Sequence, residues 1–348
     1  MSALKTALVG FGYAGKTIHA PLIAAAKGLS LHTIVSSRPA DVAADWPDVR
    51  VAPDLASALA DAEVELVVIA TPNELHAPQA HQALDAGKHV IIDKPFCLSV
   101  AEGQSVLEHA SRVGKTVSVF HCRRWDGNFL TFAALRPRLG ELYQFSLRYD
   151  RLRPVVRDRW RERAGPGSGL WFDLGSHLCD QVLATFGFPD WISADIGIQR
   201  PGAVTDDYFH VILGYGPLRV LLHSSVLTAA PGPCYEAQGS SGAYVKYGMD
   251  TQEDMLKAKR IPGDEGWGSD STAGCFTPVV TGAPGPAEAV PTLPGNYVAY
   301  YEAAARSIRE GAPNPVPGSE ALLVMKLLEQ GFVSAKSGAR VYFSEESS

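Results

Sequence analysis

A glycine pattern near the start of the chain constrains the fold more than any other feature. An apolar run from Thr6 to Val9 leads directly into G-x-G-x-x-G, and a stretch of helical character follows. In such a strand–turn–helix the first glycine permits a tight turn, the second lets phosphates approach the backbone, and the third lets helix and strand pack closely. The helix N-terminus then offers free N–H groups to an anion. The pattern predicts a dinucleotide-binding turn, with a plain glycine turn as the alternative; its residues are Gly10, Phe11, Gly12, Tyr13, Ala14 and Gly15.

Strands alternate with helices over the first 120 or so residues. The predicted strands are 6–9, 31–37, 65–70, 89–93 and 116–120, and the predicted helices are 14–27, 74–86 and 99–113. Alternation of this kind predicts an α/β fold with a parallel, doubly wound sheet, whose ligand lies beyond the carboxyl ends of the strands. We therefore expect residues 1–121 to form a Rossmann-type dinucleotide-binding domain.

The pattern changes after residue 121. Strands are predicted at 142–149, 192–198, 208–215 and 218–227, helices at 169–186, 296–309 and 319–335, and a loop with room for one short strand at 262–295. Short turns between consecutive strands predict a large, open, mainly antiparallel sheet in residues 122–348, which we expect to bind the substrate and to form oligomers. An uncovered apolar face favours a homodimer or homotetramer, and the residues expected on that face are Val211, Leu213, Val220 and Leu222.

The end of the second strand indicates which dinucleotide binds. NAD sites usually carry an Asp or Glu there, about 20 residues beyond the glycines. This chain has Ser36, Ser37 and Arg38 at that point, and the first acid is Asp41. A carboxylate would repel the 2′-phosphate of NADP, whereas hydroxyls and a guanidinium bind it. We therefore expect NADP rather than NAD; a polar loop with an incidental arginine is the alternative.

Composition excludes several classes of partner. The chain has 348 residues and a net charge of −6, which argues against general nucleic-acid binding. No apolar run reaches the roughly 18 residues needed to span a bilayer, and the chain enters a strand at once, without a signal peptide. The five cysteines are scattered, with no C-x-x-C pair, which predicts free thiols in a reducing cytoplasm and no metal site.

Lys94 is the first candidate for chemistry. It follows an apolar strand, at the edge of the sheet where the cofactor is expected. An ammonium group there can stabilise negative charge on a substrate oxygen or shuttle a proton. A solvated loop lysine is the alternative.

Asp173, His177 and Asp180 form the second candidate group. Their spacing places them on one face of the predicted helix. A carboxylate beside an imidazole orients the ring as a general base requires. The alternatives are a capping aspartate with a core histidine, and a metal site, for which no second histidine or cysteine stands at ligand spacing.

An arginine-rich stretch covers residues 148–163. A solvated face is one interpretation. The other places one or two of these arginines near the cofactor phosphates, and Arg123 invites the same comparison.

Taken together, five stretches resemble the Gfo/Idh/MocA family of sugar and polyol oxidoreductases. They are GFGYAGKTIHAPLI at 10–23, ATPNELH at 70–76, AGKHVIIDKPF at 86–96, FHCRRWD at 120–126 and DLGSHLCDQ at 173–181. Within the family, RRWDGNFLT, RDRWRER, DYFHVILGYG and GAYVKYGMDTQED are similar to the NADP-dependent scyllo-inositol dehydrogenases. The family usually reads Glu-Lys-Pro where this chain has Asp93-Lys94-Pro95, a change that keeps the charge.

The resemblance implies a Rossmann domain followed by a C-terminal α/β domain with a large open sheet. It implies a catalytic set of Lys94, Asp173 and His177, in which His177 takes the hydroxyl proton as a hydride leaves for the nicotinamide. It also implies cofactor contacts from both predicted domains, by Thr71, Pro72, Asn73, His76, Asp93, Lys94, Arg123, Trp160 and Arg161.

The expected function is therefore hydride transfer between NADP and a secondary alcohol of a cyclitol or sugar, of the scyllo-inositol type. Another sugar or dihydrodiol dehydrogenase of the same family is an alternative. A regulator that binds NADP without turnover would be expected to lack Lys94 or His177. A glycosidase that retains its cofactor would need NAD, which the Ser-Ser-Arg sequence disfavours.

Overall fold

The computed structural model describes residues 2–343. The strands are β1 (Leu4–Val9), β2 (Leu29–Val35), β3 (Arg50–Ala52), β4 (Leu66–Ile69), β5 (His89–Asp93), β6 (Val117–Phe120), β7 (Leu142–Arg148), β8 (Trp191–Gly197), β9 (Tyr208–Tyr215), β10 (Leu218–Ser225), β11 (Tyr235–Gly239), β12 (Gly242–Lys246), β13 (Gly274–Val280), β14 (Ala283–Pro284), β15 (Glu288–Val290) and β16 (Val341–Tyr342). The α-helices are α1 (Ala20–Ala25), α2 (Pro39–Asp45), α3 (Leu55–Leu59), α4 (His76–Asp85), α5 (Val100–Val113), α6 (Gly127–Leu139), α7 (Ser176–Phe186), α8 (Gln252–Lys257), α9 (Val298–Glu310) and α10 (Gly318–Ser337).

The chain packs as two compact units, each built from more than one stretch of sequence. The first unit runs from the start of the described chain to Trp125 and adds Gln252–Gly268 and Asn296–Leu322. The second unit comprises Asp126–Thr251, Ser269–Gly295 and the chain from Leu323 onward. The predicted domain boundary between residues 121 and 122 stays a prediction.

The first unit contains the predicted parallel sheet. Its six strands lie in the order β3-β2-β1-β4-β5-β6, and every neighbouring pair is parallel. All four residues of β4 are buried, as expected for a strand covered by helices on both faces. This sheet confirms the Rossmann-type α/β fold, with β1 and β4 side by side at its centre.

The first helical segment differs from its prediction. Residues Ala14–His19 form a π-helical turn, in which the N–H of Ala20 donates to the carbonyl of Gly15, and α1 ends at Ala25 rather than at residue 27. The spacing of apolar residues does not distinguish this π-turn from an α-helix, because in both cases one side of the segment packs against the sheet.

The second unit contains a mixed, mainly antiparallel sheet of ten strands. The path is β14-β13-β12-β11-β7-β10-β9-β8-β16, with β15 beside β13. Only the β7–β10 pair among these described strands is parallel. Stacked rings of Phe132 and Phe145, 4.4 Å apart, join α6 to the inner face of this sheet. The predicted α/β class and the mainly antiparallel sheet are confirmed.

The prediction of an uncovered apolar face formed by Val211, Leu213, Val220 and Leu222 is wrong. All four side chains are fully buried within the chain. They lie on the same side of the sheet as Phe209, whose ring meets Trp171 edge-on at 4.9 Å. The half-exposed side of β9 carries instead the alternate residues Tyr208, His210 and Ile212. Period-two alternation separates the two faces of a strand but does not say which one the helices cover.

Several elements were not predicted. The region 262–295 holds three short strands rather than one, β13 to β15, and β11, β12 and α6 also lacked a prediction.

Among residues 2–343, no helix combines the length and apolar character needed to cross a bilayer.

Candidate active site

The three glycines of the turn after β1 have separate structural duties. Gly10 has φ +97°, and a Cβ on it would lie 2.6 Å from the carbonyl oxygen of Ala70, so a side chain is excluded twice over. A Cβ on Gly15 would overlap the carbonyl oxygen of Gly10. A Cβ on Gly12, by contrast, would meet no protein atom within 4 Å. The turn is thus closed where helix meets strand and open at Gly12, as the approach of a dinucleotide pyrophosphate requires.

The residues after β2 lie beside the same turn. Nη2 of Arg38 donates to the carbonyl oxygen of Phe11 at 2.8 Å, and Nη1 pairs with Asp41 at 3.2 Å. The buried Ser36 hydroxyl accepts a hydrogen bond from the N–H of Arg38 at 3.1 Å, while Ser37 is exposed. The structure therefore brings the Arg38 guanidinium to the glycine turn, where a cation can meet the ribose phosphate of a bound dinucleotide.

Hydrogen bonds of a buried histidine stabilise the turn after β4. His76 is fully buried, with Nδ1 2.9 Å from the carbonyl oxygen of Pro95 and Nε2 3.0 Å from that of Thr71. Burial lowers the pKa of His76. Pro72 is exposed and Asn73 is buried. His76 thus links the turn that carries Thr71 to the turn that carries Pro95.

Lys94 stands directly after β5, next to a buried polar network. Oδ1 of Asp93 accepts a hydrogen bond from the backbone N–H of Lys94 at 2.8 Å, and Oδ2 lies 3.5 Å from Nε2 of His19. Nδ1 of His19 is 2.5 Å from the hydroxyl of Tyr301. Burial alone would raise the pKa of Asp93, but His19 and Lys94 lower it to about 2. Asp93 is therefore a fixed negative charge beside the candidate catalytic lysine.

Arg123 lies in a short helical turn, Cys122–Trp125, in the first unit. It is buried, and its Nη2 is 3.4 Å from Oε2 of Glu253. Glu253 also accepts a hydrogen bond at 2.8 Å from the hydroxyl of Tyr13, in the glycine turn. Glu253 was not predicted to belong to the site.

The second unit holds Asp173 and His177 one helical turn apart. Asp173 lies in a π-helical turn, Trp171–Gly175, which continues into α7, and His177 is buried near the start of that helix. Nε of Arg161 lies 3.4 Å from Oδ1 of Asp173, and the Arg161 guanidinium stacks 4.6 Å from the Trp160 ring. Unit two therefore gathers four predicted residues: Trp160, Arg161, Asp173 and His177.

Asp206 caps the segment that carries these residues. Its Oδ2 accepts the N–H of Trp171 at 2.6 Å, and its backbone carbonyl accepts the N–H of Leu170 at 2.9 Å. Gly169 precedes the segment with φ +94°, and a Cβ there would overlap the Asp206 carboxylate. Burial raises the pKa of Asp206 to about 6. Sequence reasoning missed Asp206, because a capping residue from another part of the chain leaves no local pattern.

Each unit thus assembles its own part of the predicted site. The glycine turn, Ser36 to Arg38, the 71–76 turn, Lys94 and Arg123 belong to the first unit, and Asp173 and His177 belong to the second. The predicted meeting of Lys94 with His177 and Asp173 stays a prediction.

One group of described residues has the spacing of a metal site: His32, Asp61 and Glu63. Its carboxylates already have cationic partners. Nη1 of Arg50 is 2.6 Å from Asp61, and Lys5 pairs with Glu63. These ion pairs account for the cluster, and we assign no metal to it.

Comparison with known proteins identifies both parts of the chain. Residues 4–121 match the oxidoreductase family with an NAD-binding Rossmann fold, GFO_IDH_MocA, and residues 135–343 match the C-terminal alpha/beta domain of the same family. The uncharacterized oxidoreductase YdgJ of Escherichia coli is 47% identical, over 97% of each chain. The scyllo-inositol 2-dehydrogenase (NADP(+)) IolW of Bacillus subtilis is 37% identical, over 97% of this chain and 95% of its own. A solved oxidoreductase structure from Yersinia pestis superposes with a TM-score of 0.95 at 43% identity, covering 99% of this chain and 98% of that one.

Proposed function

Because the chain belongs to the Gfo/Idh/MocA family of oxidoreductases, we propose that it is an NADP-dependent dehydrogenase of cyclitols or sugars, with a scyllo-inositol-type polyol as substrate. The relative from Bacillus subtilis, whose name states that activity and that cofactor, supports the substrate class. The open space at Gly12 and the closed packing at Gly15 support a dinucleotide in the turn after β1.

The position of Arg38 is the single observation that carries the choice of NADP. Its guanidinium bonds to the carbonyl of Phe11, so it is held beside the glycine turn, although 59% of the side chain is exposed to solvent. Residues 36–38 include no carboxylate to accept a ribose 2′-hydroxyl. A guanidinium and two hydroxyls in this position suit a phosphate.

The bound cofactor supplies the hydride acceptor in alcohol oxidation and the hydride donor in the reverse direction. In our proposal a ring nitrogen of His177 accepts the proton of the reacting hydroxyl, and Asp173 orients that ring. The Nζ ammonium of Lys94 donates a hydrogen bond to the same substrate oxygen and stabilises its developing negative charge. Arg161, with Nε 3.4 Å from Oδ1 of Asp173, places a cation beside that carboxylate and helps to direct it.

Three further expectations stand as proposals. We propose that residues 1–121 act as the cofactor domain and residues 122–348 as the substrate domain, apart from the stretches of 122–348 that pack in the first unit, and that the protein works in the cytoplasm. A symmetric oligomer would use the half-exposed face of the large sheet, the side of Ile212, since the opposite face is buried.

Initial rates of NADP⁺ and NAD⁺ reduction with scyllo-inositol, myo-inositol and glucose test the proposal. We expect a rate with scyllo-inositol that is higher with NADP⁺ than with NAD⁺. His177→Ala should lower turnover by about 10²- to 10⁴-fold while NADPH binding, followed by fluorescence, persists. Turnover that survives His177→Ala would remove that residue from the proposed set.

Arg38→Ala tests the cofactor choice separately. It should weaken NADP⁺ binding and leave NAD⁺ binding nearly unchanged. Arg50→Ala, which removes the same charge from a half-exposed arginine paired with Asp61, is the matched control and should change neither affinity. A preference for NAD⁺ that Arg38→Ala does not alter would refute the NADP assignment.

A further inference from the structure

Residues 252–268, called here the return segment, come back to the first unit after the chain has passed through much of the second. Gln252 anchors the segment and is fully buried. Its Nε2 donates to the carbonyl oxygen of Trp125 at 3.1 Å, and its Oε1 accepts from the N–H of Tyr297 at 2.7 Å and from Nε1 of Trp267 at 3.2 Å. These bonds hold both the start and the end of the segment on the first unit.

The return segment contacts the glycine turn through Glu253. The hydroxyl of Tyr13 donates to Oε1 of Glu253 at 2.8 Å. Oε2 of Glu253 lies 3.4 Å from Nη2 of Arg123, and Lys257 lies 3.2 Å from Oε1. One carboxylate therefore joins the dinucleotide turn to the short helical turn that follows β6.

The charges at this contact favour a stable hydrogen bond. Partial burial and the nearby Glu253 raise the pKa of Tyr13 to about 12, so its hydroxyl keeps the proton that it donates. Burial would raise the pKa of Glu253, but Arg123, Tyr13 and Lys257 together hold it below its usual value. Glu253 thus stays ionised, and the two cations offset its charge near a site meant for phosphates.

A second contact ties the return segment to the helix after β2. Nζ of Lys259 lies 3.2 Å from Oδ1 of Asp45, the last residue of α2, and Nζ of Lys16 lies 2.7 Å from its Oδ2. Arg38 is the residue immediately before α2, and Lys16 immediately follows the glycine pattern. The return segment therefore bonds to the glycine turn, through Tyr13, and to the far end of the helix that follows Arg38.

We propose that the return segment is part of the cofactor site, with Glu253 as a positioning residue that fixes the glycine turn through Tyr13 and Arg123. The inference rests on the proposed dinucleotide binding. Tyr13 is 53% exposed, so without Glu253 its side chain would be free to rotate and the turn would lose a support next to its open glycine. Backbone N–H groups bind an anion best when their directions are set beforehand, because binding then orders less of the protein.

A double-mutant cycle on the intact protein tests the proposal. The Kd for NADPH is measured by fluorescence titration in Tyr13→Phe, Glu253→Gln and the double variant, well below the temperature of unfolding. If the loss of this one supporting hydrogen bond weakens binding as the loss of an ordinary hydrogen bond does, Kd should rise by about 5- to 10-fold in each single variant. Because the two residues act through one contact, the Kd for NADPH of the double variant should be no higher than that of the single variant that binds NADPH less tightly.

Steady-state kinetics distinguish a positioning role in cofactor binding from a role in stability alone. The KM for NADP⁺ should rise in parallel with Kd while kcat stays at the wild-type value. Asp254→Asn is the matched control: it removes a charge from the neighbouring position, where the side chain is 81% exposed and pairs with Lys257. This control should bind NADPH as the wild type does.

The outcomes separate the inference from the proposed function. If Glu253→Gln binds NADPH with the same Kd as the wild type, the inference is overturned and the proposed function is left intact, even if Tm falls. Losses that add in the double variant also overturn it. Failure of the wild type to bind NADPH or NADH would refute the proposed function, and the inference with it.

Discussion

Gly12 and Gly15 differ in what surrounds them, and alanine at each position tests a different property of the turn. A Cβ on Gly15 would stand 2.0 Å from the carbonyl oxygen of Gly10, a backbone atom that cannot swing aside. A Cβ on Gly12 would meet no protein atom within 4 Å. Of the three glycines only Gly10 has a positive φ, so neither alanine adds backbone strain.

The expected magnitudes follow from these surroundings. A methyl group forced into filled space costs about 1–3 kcal/mol, so Gly15→Ala should lower the free energy of unfolding by that amount. Each kcal/mol lowers Tm by about 1–2 °C for a chain of 348 residues. Gly12→Ala should stay within about 0.5 kcal/mol of the wild type. It should nevertheless raise the Kd for NADPH by about 10-fold or more, because its methyl group would occupy the space needed by the pyrophosphate.

Thermal unfolding with and without NADPH, together with fluorescence titration, measures both quantities. Gly12→Ala should unfold like the wild type without ligand and gain less from added NADPH. Gly197→Ala, whose added Cβ would also meet nothing within 4 Å, is the matched control and should change neither quantity. Wild-type affinity in Gly12→Ala, or wild-type stability in Gly15→Ala, would refute the reasoning.

Two further predictions concern the second unit. Burial raises the pKa of Asp206 from 3.8 to about 6, so the folded protein keeps a proton that the unfolded chain releases, and the free energy of unfolding falls by about 3 kcal/mol as pH rises through this range. Asp206→Asn keeps an oxygen for the Trp171 N–H and should remove that loss of stability. If urea unfolding of this variant depended on pH between about pH 4 and pH 7 as strongly as that of the wild type, the prediction would be contradicted. Arg200 is buried, with Nε 2.9 Å from Asp207 and Nη1 3.1 Å from Glu162. Arg200→Ala should cost about 3–5 kcal/mol in urea unfolding, because it leaves a buried carboxylate without its cation, and a loss below about 1 kcal/mol would contradict this.

The parts of the site that the sequence predicts well depend on short-range rules. Glycine at positions 10 and 15 is required by a positive φ and by a close backbone approach, and both constraints act within a few residues. The strand before Lys94 has an apolar centre, Val90 to Ile92, which predicts a position for that lysine at the end of a strand, and β5 does end at Asp93. Local constraints of this kind are visible in one stretch of sequence.

The parts that the sequence does not predict depend on long-range packing. Glu253 meets a tyrosine 240 positions earlier, and no pattern near either residue announces the other. Asp206 similarly caps a segment that begins 35 residues before it. The inward face of β9 was assigned wrongly for a related reason: alternation is the same on both faces of a strand, and only the helices packed on one side distinguish Val211 from Ile212.

The last strand of the Rossmann sheet has its neighbours at the far end of the chain. Ser118 bonds to the hydroxyl of Tyr300 at 2.8 Å, the ring of Phe120 packs 5.3 Å from that of Tyr301, and the N–H of Val119 donates to the carbonyl of Val316. During synthesis these partners leave the ribosome only after almost two hundred further residues, about 10–40 s at elongation rates of about 5–20 residues per second. Until then this flank of the nascent sheet, with the Phe120 ring, lacks the residues that cover it, so the sheet completes its packing only late in synthesis.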